Sequence, residues 1–405
     1  MKNIQLSDQD IDYLLSTKAI RDQAQNVFDY CKKGNSYFTY HPEKFSATVD
    51  FVLKIINKNY PDLNIPFHSR WGHFRAGNIN RVTTLDEKLK GLNPIDRARS
   101  KLDLVITSVL LDAGAGIQWK YNENGKDFAR SEGLGVASFH MFLSGIMSHD
   151  QKSLQADAEG LGRITNKDLE KYFQVSTENP LVGVSGRVAL LNNLQKALSN
   201  KKIFPLNRPG SILDYLQQKY GQKIPATGIL RAVLDGLGPI WPGRIMANGI
   251  NLGDVWQHSK LNSSEQFESL VPLHKLSQWM TYSLIEPILE AGFEVTGVEE
   301  LTGLAEYRNG GLMIDSGLLS LKNESDALTE WSPDSDLIIE WRALTVFLLD
   351  QIGNEVCKKL NKTPQDFPLA KVLEGGTWWA GRALAQEKRE GATPPLKIKS
   401  DGTVF

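Results

Sequence analysis

The stretch DRARSKLDLVITSVLLDAG, from Asp96 to about Gly114, constrains the fold more than any other part of the chain. Leu102, Val105, Ile106, Val109 and Leu110 recur at the spacing of one helix face, and Leu104 and Leu111 carry the apolar surface around the rod. A helix that is apolar on several sides needs partners on several sides, so it is expected to lie buried among other helices. Candidate partners are abundant. Ser7 with Asp10 makes a capping-box start, Thr17 can cap a second helix that ends at Gly34, and Pro42 suits the first turn of a third that stops before Pro61. SEGLGVASFHMFLSGIM (131–147) is helical in period, although Gly133, Gly135 and Gly145 weaken it unless a neighbour or a ligand approaches closely. After a polar stretch (150–170), GRVALLNNLQKAL runs to Leu198, Ser211 starts another helix after RPG, and ILRAVLDGL precedes the turn GPIWPGR. Strand candidates are few: FEVTGV, LMIDSG and the terminal PLKIKSDGTVF, where Asp401-Gly402 suits a tight turn. No repeat, low-complexity tract or linker divides the 405 residues. The reading is a mainly α, compact multi-helix fold, one unit over 1–405 in which N-terminal helices (1–60) pack on the rest (66–405).

Charge excludes one class of partner. Forty-six Lys and Arg against forty-seven Asp and Glu give a net charge of −1, so no positive field is available for a nucleic-acid backbone. The start MKNIQLSDQD has no apolar run behind its Lys, and no run of about eighteen residues is free of charged or polar groups, so neither secretion nor a membrane span is expected. Two cysteines, Cys31 and Cys357, without CxxC or a Cys/His cluster, exclude a disulfide scaffold and a structural zinc site and suit the cytoplasm. His68 and His73 are close, but their spacing of five has no metal-site meaning by itself. GxxxxGK[ST], GxGxxG after a strand, HExxH and GxSxG are all absent. No metal and no cofactor is expected.

Five stretches can carry chemistry. Asp112 ends the apolar helix and precedes glycines that let a backbone turn toward a ligand; it must be paired, hydrogen-bonded, a turn cap or functional. Trp119 nearby is either a ligand platform or core. In PLHKLSQWMTYSLIEPILEAG, Lys275, Gln278, Tyr282 and Glu286 share one helix face, a solvated stripe or, with His274 and Trp279 so near the helix start, a pocket wall. In LTGLAEYRNGGLMIDSG, Glu306, Arg308 and Asp315 sit among apolar residues and glycines. Such surroundings disfavour the charged form of Glu306 and raise its pKa toward the range useful for acid–base work, the alternative being a Glu306–Arg308 surface pair. Gly310-Gly311 there permits backbone geometry closed to other residues. DLIIEWRALTVFLLDQIG buries Glu340 and Arg342, and a buried Arg needs a carboxylate or a ligand phosphate. In LEGGTWWAGR, Thr377 can cap a helix with Arg382 one turn inside, an anion site if the helix N-terminus is free.

PFHSRWGHF, DLVITSVLLDAGAGIQWKY, RSEGLGVASFHMF, NPLVGVSGR, LVPLHKLSQWMTYSLIEP, LTGLAEYRNGGLMIDSG, EWRALTVFLLD, LEGGTWWAGR and SDGTVF closely resemble the uracil-catabolism protein 4 family from about Pro66 to Phe405. The resemblance implies a role in pyrimidine breakdown, in a pathway that converts uracil to its nucleotide, opens the ring and liberates urea. LLDAGAGIQW and LTGLAEYR also look like the corresponding blocks of queuosine salvage proteins, helical N-glycosylases related to helix-hairpin-helix DNA glycosylases. On that likeness the fold is of this glycosylase type, Glu306 stands where those proteins carry a catalytic Asp, and Asp112 and Trp119 fall where substrate is held.

The expected activity is therefore hydrolysis of the N-glycosidic bond of ribosylurea or its 5-phosphate to urea and ribose or its phosphate. Breaking C1–N makes the sugar oxocarbenium-like, and a carboxylate can stabilise it and direct water. Glu306 takes that role, and Asp112 is the second catalytic candidate. Asp112 or Glu132 holds ribose hydroxyls, Trp119 or Trp279 covers the urea or sugar, and Arg70, Lys275, Arg342 or Arg382 neutralises the phosphate. His274, Arg308 and Asp315 complete the substrate-binding set. The partner is thus a small sugar phosphate. The rival readings are an amide hydrolase acting on another intermediate and a non-catalytic partner of the pathway's enzymes.

Overall fold

A computed structural model describes residues 2–112, 114–241, 244–261 and 266–399. The chain is mainly helical, as the periodicity indicates. Where the sequence, lacking a linker, reads as one unit, the internal packing divides the chain into two compact units. Unit one comprises residues 1–68, 243–278 and 297–405, and unit two residues 69–242 and 279–296.

Unit one opens with α1 (Asp8–Leu14) and α2 (Thr17–Lys32). The capping box at Ser7 forms, Ser7 Oγ accepting from Asp10 N at 3.1 Å and Asp10 Oδ2 from Ser7 N at 3.2 Å. α2 is capped by Ser16, not Thr17: Ser16 Oγ accepts from Ala19 N at 3.2 Å, and Thr17 is already the first helical residue. Gly34 follows at φ 75°, the left-handed geometry that suits a helix end. Pro42 opens a short 3-10 turn (Pro42–Lys44) before α3 (Phe45–Asn59).

Unit two begins with α4 (Arg70–Phe74), α5 (Arg81–Leu89) and α6 (Pro94–Leu110). The last is the expected buried rod: Asn93 caps it, Pro94 sits at its first position, and every residue from Ser100 to Leu110 is buried. Its charged residues are matched, Asp103 accepting from Gly210 N at 2.6 Å and Arg208 Nε at 2.9 Å, and Lys101 meeting Glu290 and Asp86. α7 (Arg130–Leu143) uses its glycines for close approach, since a Cβ at Gly133 would stand 2.4 Å from Phe128 O and one at Gly135 2.8 Å from His73 Cβ. The polar stretch after it holds α8 (Ala158–Arg163) and α9 (Asn166–Tyr172), short helices without an apolar stripe long enough to announce them. α10 (Val184–Ala197), α11 (Ile212–Tyr220) and α12 (Ala226–Leu237) follow. Ser211 precedes α11 without capping it, because its hydroxyl donates to Arg208 O at 2.7 Å. The strand expected in FEVTGV is Glu294–Thr296, parallel to Lys223–Pro225.

α13 (Lys275–Glu290) has its first turn in unit one and its remainder in unit two. Unit one continues with α14 (Tyr307–Asp315), α15 (Asp336–Lys359), α16 (Leu369–Val372) and α17 (Trp378–Lys388). LMIDSG is not a strand, for Leu312–Asp315 belongs to α14. α15 is the axis of this unit: residues 337–346 are all buried, and Phe28 of α2 stacks on Phe347 at 4.0 Å. Glu340 inside it accepts from Tyr37 N at 2.8 Å and meets His258 Nε2 at 2.9 Å, so this buried carboxylate holds structure together. Small strand pairs close the loops, among them Lys2–Ile4 with Ile245–Ala247, and Lys397–Ile398 with Glu330–Trp331. The turn expected at Asp401-Gly402 lies outside the described residues.

Candidate functional site

Glu306 follows a buried run, Leu301, Thr302, Leu304 and Ala305, and is itself 9% exposed. It is the N-cap of α14, Oε2 accepting from Arg308 N at 2.8 Å and Oε1 from Asn309 N at 2.6 Å. Burial pushes its carboxyl up from the ordinary glutamate range. The two amides, and then the charge of Lys275, pull the other way without cancelling it. The expected Glu306–Arg308 surface pair does not form: the Arg308 side chain is buried, donates to Ala392 O at 2.9 Å and lies over the Tyr307 ring. Asp315 ends the same helix nine residues on, about 13 Å along the axis at the usual rise, and pairs with Arg389. Gly310 and Gly311 have helical, not left-handed, backbone; Gly310 is small because a Cβ there would stand 2.7 Å from the Trp341 ring.

The start of α13 is tied to Glu306 through a buried ion pair. Asp254 accepts from both terminal nitrogens of Arg342 at 2.8 Å, from Trp256 Nε1 at 2.6 Å and from Lys275 N at 2.9 Å. Arg342 Nε donates in turn to Ala305 O at 3.4 Å, the residue before Glu306. Burial opposes the Asp254 charge, but Arg342 outweighs it and holds the carboxyl well below the usual range. Arg342 thus takes the carboxylate alternative and not a phosphate, its partner lying 88 residues away in sequence.

His274, just before α13, has φ 44°, rare for a residue with a side chain. Its Nε2 donates to Leu14 O at 2.9 Å, and burial lowers its pKa, which keeps it neutral with an acceptor lone pair on Nδ1. That Nδ1 is buried without a partner, as are both polar atoms of the Gln278 amide. Lys275 is half-buried, Gln278 is 0% exposed and Tyr282 1%, so the face read as a stripe or a wall is an interior one. Glu286, at its far end in unit two, pairs with Arg75 at 2.6 Å.

His68 closes this part of unit one. Its Nδ1 meets Glu374 Oε2 at 2.7 Å, and Tyr60 OH donates to Glu374 Oε1 at 3.4 Å. Burial and that carboxylate push the Tyr60 hydroxyl up to about 12. Trp378 lies 6.3 Å from the His68 ring, and Arg382 covers Trp378 and Trp379 at 5.5 and 5.4 Å. The anion site expected at Thr377 does not exist, because a π turn (Leu373–Thr377) joins α16 to α17 and leaves no free N-terminus. Thr377 Oγ1 donates instead to Asn309 Oδ1 at 2.8 Å, fixing the residue whose N–H holds Glu306. Sequence reading missed Asp254, His68 and Glu374; the only signals were the unmatched charge of Arg342 and two polar residues in aromatic-rich segments.

Asp112 and Arg70 belong to unit two and meet each other there. Asp112 Oδ1 is 3.1 Å from Arg70 Nη1, and Ser131 Oγ donates to both carboxylate oxygens at 2.7 and 2.5 Å. Arg70 is 0% exposed, with Nε donating to Ser108 Oγ at 2.7 Å and Nη1 to His73 Nδ1 at 3.2 Å. Its charge is matched within the protein, so it is not the phosphate-neutralising group. Trp279 packs there, 5.6 Å from both the Arg70 guanidinium and the His73 ring. Trp119 offers no face to a ligand: it is 0% exposed, tilted on Phe173, and donates Nε1 to Phe173 O at 2.9 Å. Glu132 is half-buried in the first turn of α7. Among the described residues no group of three or more His, Cys, Asp or Glu is arranged to hold a metal, and no helix is long and apolar enough to cross a membrane.

Comparison with known proteins finds a family and relatives that span nearly the whole chain. Residues 13–405 match a family model described as a protein of unknown function, DUF1688. Uracil catabolism protein 4 of Lachancea kluyveri is 37% identical over 439 aligned residues, covering 98% of this chain and 99% of that protein. Protein urg3 of Schizosaccharomyces pombe is 38% identical over 409, covering 99% and 100%.

Proposed function

Since the chain belongs to the DUF1688 family, with a curated relative named for uracil catabolism, we propose that it serves uracil breakdown by hydrolysing the N-glycosidic bond of ribosylurea or its 5-phosphate. The observation that carries the reading is the Glu306 carboxyl, buried, aimed by the N–H groups of Arg308 and Asn309, and acted on by the charge of Lys275. In its ionised form it accepts a proton from water as the water oxygen bonds C1. The C1–N electron pair leaves with the urea nitrogen, which takes up that proton, giving urea and ribose or its phosphate. The carboxylate also faces the positive charge that grows on the sugar. Lys275, whose charge acts on that carboxyl, is the cation suited to a 5-phosphate. The likeness of the Glu306 and Asp112 blocks to helical N-glycosylases supports the same chemistry.

The test is release of urea and ribose 5-phosphate from ribosylurea 5-phosphate by the purified chain. Glu306→Gln should lower kcat by about 10²- to 10⁴-fold while the protein stays folded. No release by folded protein, or full activity in the variant, overturns the mechanism; ammonia with the ribosyl bond intact marks an amide hydrolase instead.

A further inference from the structure

Buried polar atoms are nearly always hydrogen-bonded, and a cluster that is not calls for a partner. His274 Nδ1, Gln278 Oε1 and Gln278 Nε2 are all buried and unbonded. They lie within one helical turn, Gln278 N donating to His274 O at 2.9 Å. The same turn is anchored by Lys275 N on Asp254, whose partner Arg342 also holds Ala305, next to Glu306. A packing role alone would be filled better by Leu or Met, which leave no amide unsatisfied. The unused set consists of two acceptors and one N–H donor group. A terminal ureido group, –NH–CO–NH₂, is its complement: its N–H groups donate to Gln278 Oε1 and His274 Nδ1, and its carbonyl accepts from Gln278 Nε2.

We propose that His274 and Gln278 form a subsite that recognises the ureido end of the substrate, with Gln278 as a specificity-determining residue. This deepens the N-ribosyl reading above and rests on it for the substrate's identity. A single trapped water has a similar hydrogen-bonding inventory, so the experiment must separate water from ureide.

Equilibrium dialysis with radiolabelled urea measures the subsite directly, without turnover. The full chain should take up urea, unmethylated urea should displace the label, and tetramethylurea, which has no N–H, should not. Gln278→Leu and Gln278→Met should weaken uptake by about tenfold or more, and with ribosylurea 5-phosphate should raise KM far more than they lower kcat. Neither should lower the melting temperature, since each removes an unsatisfied buried amide. No urea uptake by the full chain, or equal uptake by both variants, overturns the subsite and leaves a buried water. Melting that falls together with kcat in both variants, KM being unchanged, overturns it in favour of a structural role. If urea binds through Gln278 but ribosylurea 5-phosphate is not hydrolysed, the glycosidase reading fails and the subsite stands.

Discussion

Glu306 carries two opposing demands in one side chain. Its burial favours the neutral acid, while its two backbone donors and its proposed role favour the anion. Activity that requires the anion should rise with pH through the raised pKa, so the acid limb of kcat/KM should lie above the ordinary glutamate range and vanish in Glu306→Gln. Stability should run the other way. A folded-state pKa above the unfolded one gives stabilisation that is complete below the unfolded value and lost as pH rises through the folded value. Melting temperatures of wild type and Glu306→Gln, measured across that window, should therefore shift in the variant's favour as pH increases; a constant difference would refute the burial argument. Asp112 makes the contrasting case, since its partner Arg70 has no exposure at all. Asp112→Asn should cost about 3–5 kcal/mol in denaturant unfolding by leaving a buried charge unmatched, whereas a ligand role alone would change KM and spare stability. The apolar neighbours of Glu306 were legible in sequence. Its N-cap geometry was not, because Leu-Ala-Glu-Tyr carries none of the usual cap residues, and Arg70 could not be matched to the distant Asp112 without a fold.

At the scale of elements, the site depends on how closely helices approach. A Cβ on Gly381 of α17 would stand 2.1 Å from Arg308 O, at the turn of α14 whose amides hold Glu306. Backbone cannot move aside as a side-chain tip can. Gly381→Ala should therefore destabilise by about 1–3 kcal/mol or more and lower kcat together, by displacing the donors. Gly311, whose added Cβ would find its nearest neighbour at an ordinary 3.4 Å from Pro395 Cδ, is the control. Gly311→Ala should be neutral or stabilising by up to about 1 kcal/mol, from helix propensity alone, in the same unfolding measurement. Sequence reading recovered the helices that have a stripe and a cap, α6 foremost. It failed where local pattern and packing disagree: LMIDSG reads as a short apolar strand bounded by Asp, Ser and Gly yet is held in α14, and Gly-Gly-Thr looks like a helix start yet continues one through a π turn. Each unit also draws on separated segments, so no compositional boundary marks the division.

For the whole chain, that segmental construction decides what can be removed. The motifs that carry the family resemblance begin near Pro66, although the family match itself starts at residue 13, and on the motifs alone residues 1–60 would pass for a dispensable addition. The packing of unit one contradicts it. Ile20, Val27, Phe38, Val49, Val52 and Ile56 are fully buried, Phe28 stacks on Phe347 of α15, and the α16–α17 junction rests on α3 where a Cβ on Gly376 would stand 2.7 Å from Val52 Cγ1. Arg21 adds Nε to Asp350 at 2.8 Å and a further bond to Leu301 O at 2.8 Å, close to the run that leads into Glu306. Burial of each large apolar side chain is worth about 1.5–3 kcal/mol, so losing the group exceeds much of the roughly 5–15 kcal/mol by which a typical domain is stable. A chain starting at residue 66 should then lack a cooperative melting transition, bind a dye for exposed apolar surface, and be inactive, even though it keeps Glu306, Lys275 and Gln278. Adding residues 1–65 back as a separate peptide should restore activity only if α2 and α3 can dock on α15 from solution. A sharp melt and undiminished kcat in the shortened chain would show that the N-terminal helices do not support the site.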